Sequence, residues 1–292
     1  MSVFPVSIGL SIYEEKCYYL SWIPSESGPL ITSYGKIEIK NNKIPFKDLF
    51  DKVKQYNSTP RFTISLSNNY VKYDFSRSYI NPMINNWDKE HFYDKEFSAL
   101  YDSYLYKNEQ GIFNIHISKD KKNDIIAQVK ERKYTLMNLG VGIFSALEGV
   151  KSWYNINNID KYMIMKFSKK REIELLLIDK NNFSSYAVLK KNLSSFKVIN
   201  YLGSEKYRIG LLNIADSIFK QNHGDINLQV FYYSIGGNKE DIDLVLNSKT
   251  DKLELINPFK NLTFDDSCKL NINNINASSY SELGNAFRGI DA

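Results

Sequence analysis

Few residues in this chain are placed to do chemistry. The three histidines are His91, His116 and His223, and none shares a helical or strand spacing with another ligand, so the spacing predicts no metal site. His223 stands before Gly224, where a helix ends and a ring can meet the last carbonyls. Glu14 and Glu15 are adjacent, and neighbours on a strand point to opposite faces, so they cannot converge on one substrate atom. Cys17 and Cys268 stand in no redox or metal spacing, and Cys17 reads as a structural strand residue. The chain has no Gly-x-Ser-x-Gly elbow and no P-loop. What remains is Asp179-Lys180-Asn181-Asn182, a hairpin-turn pattern, and Gly236-Gly237 at a strand end. A charged aromatic stretch, with Trp87, Phe92, Tyr93 and Phe97, reads either as subdomain core or as anchors for a partner.

The elements that must position these residues come as a repeat. Three β-like runs, Val3–Ile12, Lys16–Ile23 and Leu30–Ile39, precede a helix over Phe46–Tyr56 and a strand over Arg61–Leu66. The order returns from Lys161: runs at Tyr162–Phe167, Glu172–Ile178 and Ser184–Leu189, a helix over Tyr207–Gln221 and a strand over Ile226–Tyr233. Two β-β-β-α-β halves around a cleft predict an α/β protein of the actin-like, ribonuclease H-like duplicated class, whose ligands sit between the halves. The first half takes residues 1–82, completed by 137–160 and a C-terminal helix within 278–292. Residues 83–136 form a small inserted subdomain, with a strand pair and a helix from Asn123. The second half takes 161–277. Ser279-Tyr280-Ser281-Glu282 has the form of a capping box.

Bulk properties narrow the function classes. With 292 residues the prior is about two domains. The net charge of +5 is spread along the chain, which favours a solvated surface over a nucleic-acid face. The longest uncharged run, Tyr134–Leu147, is too short for a bilayer, and the N-terminus has no signal-peptide pattern. The expectation is a reduced, cytoplasmic protein.

The closing elements carry a resemblance. A strand ending in Ser234-Ile235-Gly236-Gly237, a short helix, a strand, Asn257-Pro258-Phe259 and a terminal Leu283-Gly284-Asn285-Ala286-Phe287-Arg288 together resemble the PilM family of type IV pilus assembly proteins, which is actin-like and related to FtsA. Ile8–Ile12, Trp87–Glu90, Tyr101-Asp102, Leu139–Val141 and Leu177–Asp179 fall in the matching order. The resemblance implies a cytoplasmic protein at the inner-membrane face. It would bind the short N-terminal tail of a PilN-like membrane protein, with other pilus platform subunits as further partners, and reach the membrane only through the PilN-like protein.

The same resemblance places a degenerate nucleotide site. The family pattern Asp-x-Gly-Ser-Ser falls on Ser11-Ile12-Tyr13-Glu14-Glu15, so the metal-anchoring aspartate becomes Ser11 and the phosphate-turn glycine becomes Tyr13. The second phosphate turn falls on Asp179 and Asn181, and the adenosine side on Gly236 and Gly237. The expectation is a pseudo-ATPase scaffold with no catalytic residue and no cofactor. The alternatives are an actin-like ATPase or small-molecule kinase with an atypical phosphate loop, the cytoplasmic part of a related secretion protein, or an FtsA relative.

Overall fold

The computed structural model describes residues 6–39, 43–53, 59–76, 95–108, 111–168, 172–192, 196–220, 226–235, 242–243, 245, 251–260, 262–268 and 274–287. In chain order the elements are β1 (Ser7–Tyr13), β2 (Lys16–Ser25), β3 (Gly28–Glu38), α1 (Phe46–Val53), β4 (Arg61–Leu66) and β5 (Val71–Ser76). Next come α2 (Lys95–Leu100), β6 (Tyr101–Asn108), β7 (Gly111–Ser118), α3 (Lys119–Glu131), β8 (Thr135–Val141) and α4 (Gly142–Trp153). The rest are β9 (Lys161–Phe167), β10 (Glu172–Asp179), β11 (Asn182–Lys191), β12 (Phe196–Gly203), α5 (Glu205–Phe219), β13 (Gln229–Ser234), β14 (Leu253–Leu255), β15 (Thr263–Phe264) and α6 (Asn274–Ala277). A 3₁₀ helix over Ser278–Phe287 follows.

The duplication is visible in the strand order. One sheet runs β15-β3-β2-β1-β4-β8, the other β12-β11-β10-β9-β13-β14. In each, the first strand pairs antiparallel with the second and parallel with the strand that follows the helix. This is the actin-like plan. A third sheet, β5-β7-β6, is separate. The sequence reading grouped 71–76 with the first half, whereas β5 pairs with β7 in this third sheet.

Three elements differ from the sequence reading. β8 was not anticipated, because Asn138 and Gly140 interrupt its apolar pattern. β12 was also missed: it is an edge strand, with Ile199 52% exposed, so it lacks the apolar run of its neighbours. Helix α3 starts a turn before Asn123 and takes Ser118 as its cap, whose Oγ accepts from the Lys121 N–H at 3.5 Å.

Period-two alternation divides the core. On β9, Tyr162 and Ile164 face the first half, while Met163, Met165 and Phe167 face α5. Leu211, Ala215 and Ile218 of α5 close that second core at helical spacing.

The 3₁₀ helix over 278–287 is the element between the halves, packing on β1, β4, α4 and β13. It approaches α4 at Gly284 and Gly149: a Cβ on Gly284 would lie 2.3 Å from the Gly149 Cα. Backbone cannot yield there, so Gly284→Ala is expected to lower stability by about 1–3 kcal/mol, measured by denaturant unfolding.

Candidate functional site

Ser11 and Tyr13 stand at the end of β1, and the strand order shows what faces them. The β1–β2 turn corresponds to the β9–β10 turn, since each joins the first two strands of its half. Asp179 and Asn181 belong instead to the β10–β11 turn. That turn is a two-residue hairpin with Lys180 at φ +48° and Asn181 at φ +63°. Asp179 accepts a hydrogen bond from the Tyr207 hydroxyl at 3.2 Å. Ser11 and Asp179 are therefore not brought into one turn-to-turn arrangement. The residue that corresponds to Ser11 is Lys166, near the end of β9, on the face of Tyr162 and Ile164. Gly236 and Gly237 lie outside the described residues, as do Trp87, Phe92 and Tyr93.

Lys166 is 2% exposed, and its Nζ lies 2.8 Å from Glu282 Oε1 and 3.2 Å from Glu174 Oε1. Glu282 comes from the C-terminal 3₁₀ helix and Glu174 from β10. Ser11 Oγ donates to Glu282 Oε2 at 3.3 Å, and the Tyr233 hydroxyl donates to Glu282 Oε1 at 2.9 Å. The Tyr186 hydroxyl donates to Glu174 Oε2 at 3.1 Å. Asn68 Nδ2 donates to the Tyr186 hydroxyl at 3.5 Å and Asn68 Oδ1 accepts from Tyr73 at 2.9 Å. The Tyr13 ring lies 5.8 Å from the ammonium. Glu282, read as a capping-box residue, is thus an ion-pair partner, while Ser281 Oγ donates to the Ser278 carbonyl at 2.7 Å.

Burial alone would discharge the Lys166 ammonium, but Glu174 and Glu282 outweigh it and raise its pKa. Burial first, then the same two carboxylates, hold the Tyr73 and Tyr233 phenols well above the ordinary value, and burial followed by Glu174 does so for Tyr186. Tyr154 is pushed up to about 12, chiefly by burial. A raised folded-state pKa contributes stability that is complete below the ordinary tyrosine value of about 10 and is lost as pH rises past it. Alkaline titration of tyrosinate absorbance is expected to show these phenols ionising together with unfolding, above the pH at which exposed tyrosines ionise.

A cleft of about 470 Å³ opens over this cluster, lined by Tyr13, Glu14, Asn68, Lys72, Lys166 and Glu174 among others. Its residues do not suit a magnesium-bound polyphosphate. At the two equivalent strand ends stand Ser11 and Lys166, and neither offers a carboxylate for a hydrated metal. The Lys166 charge is already satisfied by two carboxylates. Glu14, in a left-handed conformation at φ +51°, adds negative charge at the turn.

Beside the cleft, aromatic rings join the inserted sheet to β11 of the second sheet and to α4. Phe113 of β7 stacks on Phe183 of β11 with centroids 4.1 Å apart, and lies 5.5 Å from Phe144 of α4. Tyr73 of β5 lies 4.9 Å from Tyr186 of β11.

A second concavity, about 360 Å³, lies where the first half, the inserted sheet and the β10–β11 turn meet. Ile115, Ile117, Phe144 and Phe183 give it an apolar wall, Asn138–Val141 of β8 form one side, and Glu148 and Lys151 stand at it. Asn181, proposed for phosphate, lines this groove. Phe97 does not: it stacks on Tyr101 at 4.7 Å and meets the His116 ring edge-on at 4.9 Å.

The inserted sheet also carries a Ser–His–Asp chain. Ser103 Oγ and His116 Nδ1 are 2.8 Å apart, and His116 Nε2 lies 2.9 Å from Asp74 Oδ2. Asn114 also donates to Asp74. Neither Ser103 nor His116 lines the cleft or the groove, and Ser103 sits directly opposite His116 in register, so the chain ties three strands together.

These features define a protein of actin-like fold. Among solved structures, the chain is similar to the one described as the PilM–PilN type IV pilus biogenesis complex, with a TM-score of 0.62 and 11% identity, over 98% of this chain and 99% of that one. It also aligns with a Bacteroides thetaiotaomicron protein of actin-like ATPase fold at TM-score 0.45, 12% identity, over 88% of this chain and 92% of that one. The cytoplasmic domain of EpsL, from the Vibrio cholerae type II secretion system, gives 0.45 and 8%, over 97% and 98%. No protein-family profile and no curated protein sequence matches the chain. No helix among the described residues is long and apolar enough to cross a membrane.

Proposed function

We propose that this chain is a PilM-like scaffold in the inner-membrane assembly platform of a type IV pilus or a related secretion system. It binds the short cytoplasmic tail of a PilN-like membrane protein and does not hydrolyse ATP. It works at the cytoplasmic face and reaches the membrane through that partner. The observation that carries this reading is a contrast: the cleft floor is filled by Lys166 and its two carboxylates, while the groove beside the inserted sheet is open and apolar-walled. The end-to-end likeness in fold to the PilM–PilN structure supports the choice of partner.

The test uses the full chain and a fluorescent peptide copying the N-terminal cytoplasmic segment of the PilN-like protein encoded in the same genome. Saturable binding is expected, together with no heat and no thermal shift from millimolar Mg-ATP. Absence of peptide binding overturns the docking reading. Micromolar Mg-ATP binding overturns the pseudo-ATPase reading and favours an ATPase or kinase.

A further inference from the structure

One side chain at the groove has no hydrogen-bond partner among the described residues. Asn285, on the C-terminal 3₁₀ helix, is 5% exposed, and both Nδ2 and Oδ1 are buried without a hydrogen bond. The same residue lines the groove. Space is kept for it by Gly140 on β8, where a Cβ would lie 2.2 Å from Asn285 Nδ2. A buried amide lacking both its donor and acceptor partners lowers stability, and a ligand that supplies both recovers the loss.

We propose that the Asn285 carboxamide is a main-chain clamp: it holds the N–H and C=O of one residue of an extended tail lying in this groove. Nδ2–H donates to the tail carbonyl, and Oδ1 accepts from the tail N–H. In an extended strand the N–H and C=O of one residue point to the same side, so a planar carboxamide meets both and satisfies both of its own atoms at once. The tail is extended because Asn138–Val141, on the strand that ends the first sheet, form the adjacent side. Its alternate side chains then reach the apolar wall of Ile115, Ile117, Phe144 and Phe183. Binding in this form depends on the tail's backbone at one position and on side-chain type at its neighbours. The inference rests on the docking reading above and adds the residue that sets the tail's register.

The test measures anisotropy of the same labelled peptide with the full chain and with Asn285→Leu, which keeps the branched shape and removes both polar atoms. Asn285→Leu is expected to raise the melting temperature of the free protein and to weaken peptide binding about tenfold or more. A merely structural asparagine would shift the melting temperature alone. Peptides N-methylated at single backbone positions provide the second arm. One position should weaken binding to the wild type about tenfold and change binding to Asn285→Leu less than about twofold, the signature of a shared contact. If Asn285→Leu does not fold, Asn285→Asp, with the same outline and no donor, is read in its place and should show the same loss. Equal peptide affinity for the wild type and the variants, or N-methyl losses that are the same in both, overturns the clamp while leaving the docking reading intact. Displacement of the peptide by adenosine, whose purine edge could engage the same amide, with no position sensitive to N-methylation, also overturns it. A wild type that binds no peptide fails the docking reading itself, and the clamp with it.

Discussion

Lys166→Met is expected to lower the stability of this protein by about 3–5 kcal/mol, because it leaves two buried carboxylates without their cation. Glu282 is fully buried and Glu174 is 7% exposed at the edge of the cleft, so water replaces the lost ammonium poorly. Tyr233, Tyr186 and Ser11 would still donate to these carboxylates, but neutral donors do not cancel two charges. The companion variant separates a charge effect from a packing effect. Adding Glu174→Leu and Glu282→Leu to Lys166→Met should recover most of the loss, since a buried ion triad replaced as a whole by apolar residues is often neutral. Denaturant unfolding of the two variants side by side checks this. Equal destabilisation in both would mean that Lys166 acts through its packed stem.

Phe113→Ala is expected to cost about 3–5 kcal/mol, the range for truncating a fully buried phenylalanine. Phe113 has no exposed surface, and its ring meets Tyr73, Phe144 and Phe183, which belong to three different parts of the fold. The loss should not be confined to stability. Phe183 stacks on Phe113 and also walls the groove, so tail binding should weaken even in buffer where the variant stays folded. Phe113→Leu, which keeps most of the volume, should lose about half as much stability.

Much of this was legible in the sequence, for physical reasons. Strands such as β1, β2, β9 and β10 are buried on both faces, so their apolar runs mark them and reveal the repeat. β12 has one open face and β8 contains Asn138 and Gly140, so neither shows that run. The site was read less well. The resemblance places the second phosphate turn at Asp179, whereas strand order puts Lys166 at the position equivalent to Ser11. A signal was present: Lys166 stands alone in Tyr162-Met163-Ile164-Met165-Lys166-Phe167, and Glu174 sits between Ile173 and Leu175 inside β10, whose other two acids, Glu172 and Asp179, stand at its ends. A single charge inside a buried strand needs an opposite charge from elsewhere. Glu282 was assigned to a cap because Ser279-x-x-Glu282 fits that pattern locally, and its true partner lies over a hundred residues away. Asn285 could not be found from sequence, since being unpartnered is a property of the folded surroundings.

The C-terminal 3₁₀ helix has a consequence for synthesis. Ser11 and Glu282 are 271 residues apart, yet they meet through a hydrogen bond beneath the cleft. As the chain leaves the ribosome, β1, β4 and α4 emerge long before the segment that covers them. Until residues 278–287 arrive, those apolar surfaces stay uncovered and Lys166 lacks one of its two counter-charges. Completion of the first half therefore waits for a segment made long after β1, a late step of the kind that makes folding slow and leaves nascent chains reliant on chaperones.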